Sequence, residues 1–167
     1  MTLTGPELLR DHHVVDQFRC GSEQLDSWLQ RRALTNQHSG ASRTWVVTDD
    51  NDVVAYYASA SASILRGTAP KPLQRNQPDL LPAILLSRLA VSSNYQQRGL
   101  GAALLKHFML KALEVRQHVG VRLVLVHAKN TDAVNFYEKY GFVASPLDPL
   151  TLMQVLPLMD HESPSDL

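Results

Sequence analysis

The run 95–105, YQQRGLGAALL, sets Gly99 and Gly101 two positions apart, behind Arg98 and ahead of an apolar, alanine-rich stretch. A turn of this kind, entered from a strand and left into a helix, places the helix's free N–H groups and positive dipole end beside the strand's carboxyl end. That is a cradle for an anion. Neither glycine carries a side chain to hold a phosphate off the backbone, and Arg98 can add a charge-assisted contact at the rim. The spacing is not G-x-G-x-x-G and no G-K-[ST] follows, so neither the dinucleotide fold nor the phosphate loop of nucleotide hydrolases matches. A pyrophosphate fits, and so would any other phosphate ligand or a plain helix entry. A second chemical feature is Arg88, a charge inside an apolar strand, which must either pair internally or project into a cleft. His12 and His13 are adjacent and have no metal-ligand spacing, so no metal site is expected.

The elements around these residues follow from periodicity. Residues 22–38 read as one helix with a serine N-cap, with Leu25, Trp28, Leu29 and Ala33 on its apolar face and Gly40 beyond its end. Residues 44–48 and 53–63 are β-rich and flank the turn DDND, which predicts an antiparallel hairpin. The proline-rich stretch 64–82 reads as a long loop. The run 83–91, AILLSRLAV, has the look of a central strand buried on both faces, and the glycine turn follows it directly. A long amphipathic helix is expected over 100–119, a buried strand over 121–128, a short helix over 131–140 ended by Gly141, and two last strands in FVAS and LTLMQVL. The tail is expected to fray. The domain prediction is therefore one domain over 1–160 with a disordered tail over 161–167.

A chain of 167 residues can bury roughly 70% of its unfolded surface and needs neither disulfide nor metal to fold. One cysteine, Cys20, excludes an intrachain disulfide framework. The amino terminus lacks the layout of a secretory signal and no apolar run approaches the ~20 residues of a membrane span, which together predict a cytoplasmic protein that does not enter a membrane. The formal net charge is zero, but residues 64–129 carry ten Lys/Arg against Asp79 and Glu114, a local +8. Such segregation suits a polyanion, although a solvated helix face and an acidic protein partner share the signature.

The glycine turn gains specificity from a second segment some thirty residues on. QQRGLG (96–101) together with HAKNTDAVNFYEKYGF (127–142) resembles the GNAT superfamily of N-acetyltransferases, with its Q/R-x-x-G-x-G/A and N-x-x-A-x-x-F-Y-x-x-x-G-F motifs. Gln96, Gly99 and Gly101 match the first. Asn130, Ala133, Phe136, Tyr137, Gly141 and Phe142 match the second. Within that superfamily the stretches F-x-C-G-S-x-x-L-D-x-W-L (18–29), A-L-x-N-Q-H-S-G-x-S-R-T (33–44), RNQPDLLP (75–82) and SRLAV (87–91) are similar to the toxins of bacterial toxin–antitoxin pairs that acetylate the amino group of aminoacyl-tRNA.

The resemblance implies an α/β (α+β) GNAT fold: a mixed, mostly antiparallel central sheet with a splayed parallel strand pair and flanking helices. It implies acetyl-CoA as the acetyl donor, held by Leu89, Ala90 and Val91 of the splayed strand, by Gln96, Gln97, Arg98, Gly99, Leu100, Gly101 and Ala102 of the turn, and by Asn130 and Phe136. Tyr137 is then the expected catalytic general acid for the departing thiolate, since a phenol, which ordinarily titrates near ~10, stays protonated at neutral pH yet lies close to a thiol's ~8.5. No side chain stands out as general base; His127 is the best candidate if one is needed, against the competing account of a hydrogen-bonded structural histidine. Arg43, Arg75, Arg88 and Lys106 are the expected contacts to aminoacyl-tRNA. The family further implies a ribbon-helix-helix antitoxin and a homodimer. Two other readings compete: acetylation of protein amines or a small amine, whose acceptor pocket should be acidic, and a non-catalytic CoA-binding regulatory partner.

Overall fold

A computed structural model describes residues 2–159. Seven strands form one sheet in the order β1-β2-β3-β4-β5-β7-β6. They are β1 (Leu3–Leu8), β2 (Arg43–Asp49), β3 (Asp52–Leu65), β4 (Leu80–Val91), β5 (Leu123–His127), β6 (Val143–Ala144) and β7 (Thr151–Val155). All neighbours are antiparallel except β4 and β5. Helices α1 (Glu23–Arg31) and α2 (Ala33–Ser39) cover one face, and α4 (Leu100–Val115) and α5 (Thr131–Lys139) the other. The four-residue α3 (Lys71–Gln74) lies between β3 and β4 in the chain. The expected mixed sheet with a parallel pair and flanking helices is what forms.

Side-chain alternation assigns the faces. Val46 and Tyr56 pack with Phe18, Leu29 and Ala33 under α1 and α2, while Val47 and Tyr57 pack with Leu104, Phe108 and Tyr137 under α4 and α5. A third apolar group, Leu81, Ala83, Leu123, Leu125 and Met153, continues the α1 face beneath Ala69 and Leu73.

Four sequence expectations are corrected. The helix over 22–38 breaks at Arg32 (φ −121, ψ −32), which lets α2 turn Gln37 inward. That carboxamide receives the N–H of Thr44 and donates to the carbonyls of Leu9 and Thr44, tying α2 to the sheet. Strand β1 is not expected from the sequence, because Gly5 and Pro6 interrupt it; it is an edge strand with an irregular register there, where proline is tolerated. The loop 64–82 shrinks to 66–79, since β3 and β4 pair as far as Leu65 and Leu80. Pro82 fits because β5 first pairs at Ala83. Helix α4 ends at Val115 rather than near 119. The expected tail, 161–167, lies outside the described residues.

Candidate active site

The site begins with a break in alternation. Ile84 and Leu86 face α4, so a regular β4 would point Arg88 and Ala90 the same way. Instead the register against β3 slips: Ser59 pairs Leu86 and Ala58 pairs Arg88, leaving Ser87 as a bulge whose hydroxyl donates to Ala58 O at 3.1 Å. A bulge adds one residue and inverts the phase beyond it. Leu89 and Val91 then face α4, while Ala90 and Arg88 face α1.

The bulge also marks where the parallel pair parts, the last β4–β5 partners being Leu86 and Val126. Ser92 N–H donates to Val54 O on β3 at 2.8 Å. Antiparallel alternation therefore turns the N–H groups of Leu89 and Val91 away from β3, toward the gap that β5 leaves. Gln96 fixes the far end of the gap: its side-chain amide donates to Val91 O at 2.9 Å and to Cys20 O at 3.1 Å.

Gly99 caps α4 in the left-handed region (φ 82), and the first N–H groups of the helix are open for an anion. Gly101 follows, where an added Cβ would stand 3.8 Å from the Phe136 ring and 4.0 Å from Val91 Cγ2. Leu89, Ala90, Val91, Gln96, Gly101 and Phe136 share a slot of about 240 Å³, closed on the other side by Cys20, Leu25 and Lys129. It is lined by backbone and small apolar surface, which suits a flexible amide-bearing arm ending in a phosphate. The two glycines act differently. Gly99→Ala forces an L side chain into αL, a cost of roughly 1–2 kcal/mol, and calorimetry should show it as a lower Tm. Gly101→Leu should leave Tm within a few degrees and weaken coenzyme binding at least ~10-fold by calorimetric titration, because its side chain would fill the slot.

Asn130 has an N-cap role: its side-chain oxygen accepts from Ala133 N–H at 2.9 Å and so opens α5. That helix delivers Tyr137 inward, 7% exposed, in edge-on contact with Phe136 and Phe142. Burial alone pushes its phenol well above the usual value, which keeps the proton on at any physiological pH but widens the gap to a thiol beyond the small one expected from the sequence.

Tyr137 lines a second, larger cleft of about 830 Å³ on the α1 side, with Trp28, Arg31, Arg32, Ser87, Arg88, Leu89, His127 and Lys129 among its walls. The slot and the cleft meet at Leu25, Leu89 and Lys129. Four cations line the cleft against one carboxylate, Glu23. Arg88 lies 4.2 Å above the Trp28 ring, which stacks in turn on Tyr56 at 6.0 Å and 12°, and Tyr56 donates to Leu25 O. No carboxylate among the described residues forms an ion pair with Arg88. Burial lowers its pKa, the Tyr56 phenol opposing; a guanidinium remains charged regardless.

Of the four expected RNA contacts the structure brings Arg88 alone to this cleft. Arg43 donates to Gln37 O, Arg75 ends α3, and Lys106 lines a groove between α4 and Tyr140 together with Ala102. Arg98 sits over the Tyr95 ring, and Gln97 is an exposed turn residue at φ 63. Leu100 packs on the core. Trp28 reads in the sequence as one more apolar position of a helix. Its partnership with Arg88 depends on the bulge. No group of three or more His, Cys, Asp or Glu among the described residues is placed to hold a metal ion, and no helix among them is long and apolar enough to cross a membrane.

A split parallel pair, a glycine-capped helix behind it and a buried tyrosine at the split define an acetyltransferase fold, and residues 40–144 match the family model of the acetyltransferase (GNAT) domain. The chain belongs to that family, whose acetyl donor is acetyl-CoA. It is 41% identical over 153 residues, 92% of each chain, to the tRNA-acetylating toxin of Mycobacterium tuberculosis. Among solved structures it is similar to AtaT complexed with acetyl-methionyl-tRNAfMet (TM-score 0.83, 26% identity, covering 92% of this chain and 94% of that one). It is also similar to a tyrosine-to-phenylalanine mutant of KacT (TM-score 0.85, 25% identity, covering 92% and 94%).

Proposed function

We propose that this acetyltransferase is a toxin-type enzyme that moves the acetyl group of acetyl-CoA to the α-amino group of aminoacyl-tRNA and so blocks translation. The observation that carries the reading is the cationic cleft of Arg31, Arg32, Arg88 and Lys129, which opens beside Tyr137 where the donor slot ends. A polyanion is drawn to such a wall and a cationic amine is repelled. Acetylation of polyamines or lysines would ask for the opposite charge. The tRNA-acetylating relative supports the same acceptor.

In the donor slot the pyrophosphate rests on the turn of Gln96, Gln97, Arg98, Gly99, Leu100 and Gly101. The pantetheine arm pairs with the free strand edge at Val91, beside Ala90 and against Phe136. Leu89 N–H, where the slot meets the cleft, receives the developing oxyanion, a kind of contact worth about 3 kcal/mol. Tyr137 protonates the thiolate as the carbon–sulfur bond breaks. As a toxin the enzyme is checked by an antitoxin, of ribbon-helix-helix type, and works as a cytoplasmic homodimer.

The test is transfer of radiolabelled acetyl to a panel of charged tRNAs, with uncharged tRNA, a lysine peptide and a polyamine alongside. Label is expected on charged tRNA, lost on mild ester hydrolysis. Uniform failure with charged tRNA, from enzyme that acetylates one of the other amines, would sink the assignment.

A further inference from the structure

The general acid has a place at the split, but the acceptor nitrogen, attacking as the neutral amine, must also shed one N–H proton on its way to the amide. His127 closes β5 and stands cross-strand from Thr151 of β7. Leu125, two residues earlier, faces the α1 side, so alternation puts His127 on that side too, where it lines the cationic cleft. Tyr137 reaches the same cleft from the α4 side.

The hydrogen bonds around His127 fix its tautomer. Thr151 Oγ1 donates to Asp148 Oδ2 at 2.8 Å, and Asp148 Oδ1 accepts from Leu150 N–H at 3.0 Å. Those two bonds hold the Asp148 carboxyl below its usual range, so at neutral pH it is ionised and can only accept. The single hydroxyl proton of Thr151 is thereby spent on Asp148. Toward His127 Nδ1, 3.2 Å away, Thr151 Oγ1 can act only as acceptor. Nδ1 must therefore carry the ring proton, and in the neutral imidazole Nε2 keeps its lone pair.

We propose that His127 is the general base of the transfer, and that Thr151 and Asp148 are positioning residues that hold it in the Nδ1–H tautomer. The inference rests on the acceptor amine entering the cleft. Nε2 takes a proton from the acceptor nitrogen as the nitrogen–carbon bond forms and the carbonyl electron pair moves to oxygen. When the intermediate collapses, the carbon–sulfur bond breaks and the thiolate takes the proton of Tyr137. His127 then releases its proton to water, and Tyr137 regains one from water. The sum is amine plus acetyl thioester giving amide plus thiol. Lys129 and Arg88 in the same cleft favour the neutral form of an incoming amine, which eases the first step.

The experiment compares the full-length wild type with His127→Ala, Thr151→Val and Asp148→Asn, using charged tRNA and saturating acetyl-CoA. A positioned base contributes about 10²–10⁴-fold, so His127→Ala should lose at least ~100-fold in kcat with coenzyme affinity unchanged, and added imidazole should restore part of it. Thr151→Val and Asp148→Asn should lose about 10-fold in kcat with KM held, and imidazole should not help them, because the ring is still present. Wild-type activity with His127→Ala within a few-fold of it overturns the proposal, as does a loss that imidazole fails to restore while circular dichroism and coenzyme binding remain intact. A wild type inactive on charged tRNA instead overturns the acceptor assignment. The same variants are then read with whichever amine the wild type accepts.

Discussion

Replacing Tyr137 by Phe should lower kcat by about 10²–10³-fold while acetyl-CoA binds within about twofold of wild type. The expectation follows from where the hydroxyl sits. Phe136 and Phe142 contact the ring, so a phenyl ring fills the same space and the core should not collapse. The sole cause that moves its pKa is burial, with no hydrogen bond contributing, so removing the hydroxyl leaves no buried partner unsatisfied. What disappears is the proton for the thiolate. A coenzyme A thiolate leaving unprotonated into a poorly hydrated split is the worse leaving group, and a positioned acid supplies 10²–10⁴-fold in such steps. Burial holds the proton on Tyr137 throughout the neutral range, so between pH 6 and 9 wild type and variant should differ by a nearly constant factor. Stopped assays that follow free thiol would measure it; turnover unchanged from wild type would remove Tyr137 from the mechanism.

The parts of this site that the sequence declares are those where backbone geometry dictates residue type. Gly99 must take a positive φ, Gly101 must leave the slot open, Asn130 must cap α5, and each requirement acts over a few residues at a fixed spacing. Spacing of that kind can be read. The cleft is different, because it is assembled by one inserted residue and by register. Ser87 looks like a polar interruption in an apolar run, and nothing in its type announces a bulge. Without that bulge Arg88 would point toward α4 and would never meet Trp28, sixty residues earlier. The tautomer relay is likewise a product of register, since it needs His127 opposite Thr151. The break at Arg32 is hidden for a related reason: the groups Gln37 binds are the backbone of Leu9, just past β1, and of Thr44 on β2, which only the fold brings to α2.

The column of Tyr56, Trp28 and Arg88 leads to the second large expectation, a loss of acceptor recognition in Arg88→Met. Methionine keeps the length and can lie on the indole, so Trp28 should stay stacked on Tyr56 and Tm should move little. The guanidinium itself lies over the indole, half-buried, at the cleft wall, so it has less rotamer entropy left to lose than a free arginine. A hydrogen bond to a charged group is worth about 1.5–3 kcal/mol, or roughly 10–150-fold. The kcat/KM for charged tRNA should fall within that range, with kcat at saturation and acetyl-CoA affinity close to wild type. If the contact is to a phosphate, the slope of log affinity against log salt should shrink by about 0.7–0.9, one counterion's worth. A short aminoacyl ester lacking phosphate should then lose almost nothing on the same substitution. Trp28→Leu should imitate Arg88→Met only in part, because it frees the guanidinium without removing its charge. Equal kcat/KM for Arg88→Met and wild type on charged tRNA would mean that the column is packing alone, and recognition would pass to Arg31, Arg32 and Lys129.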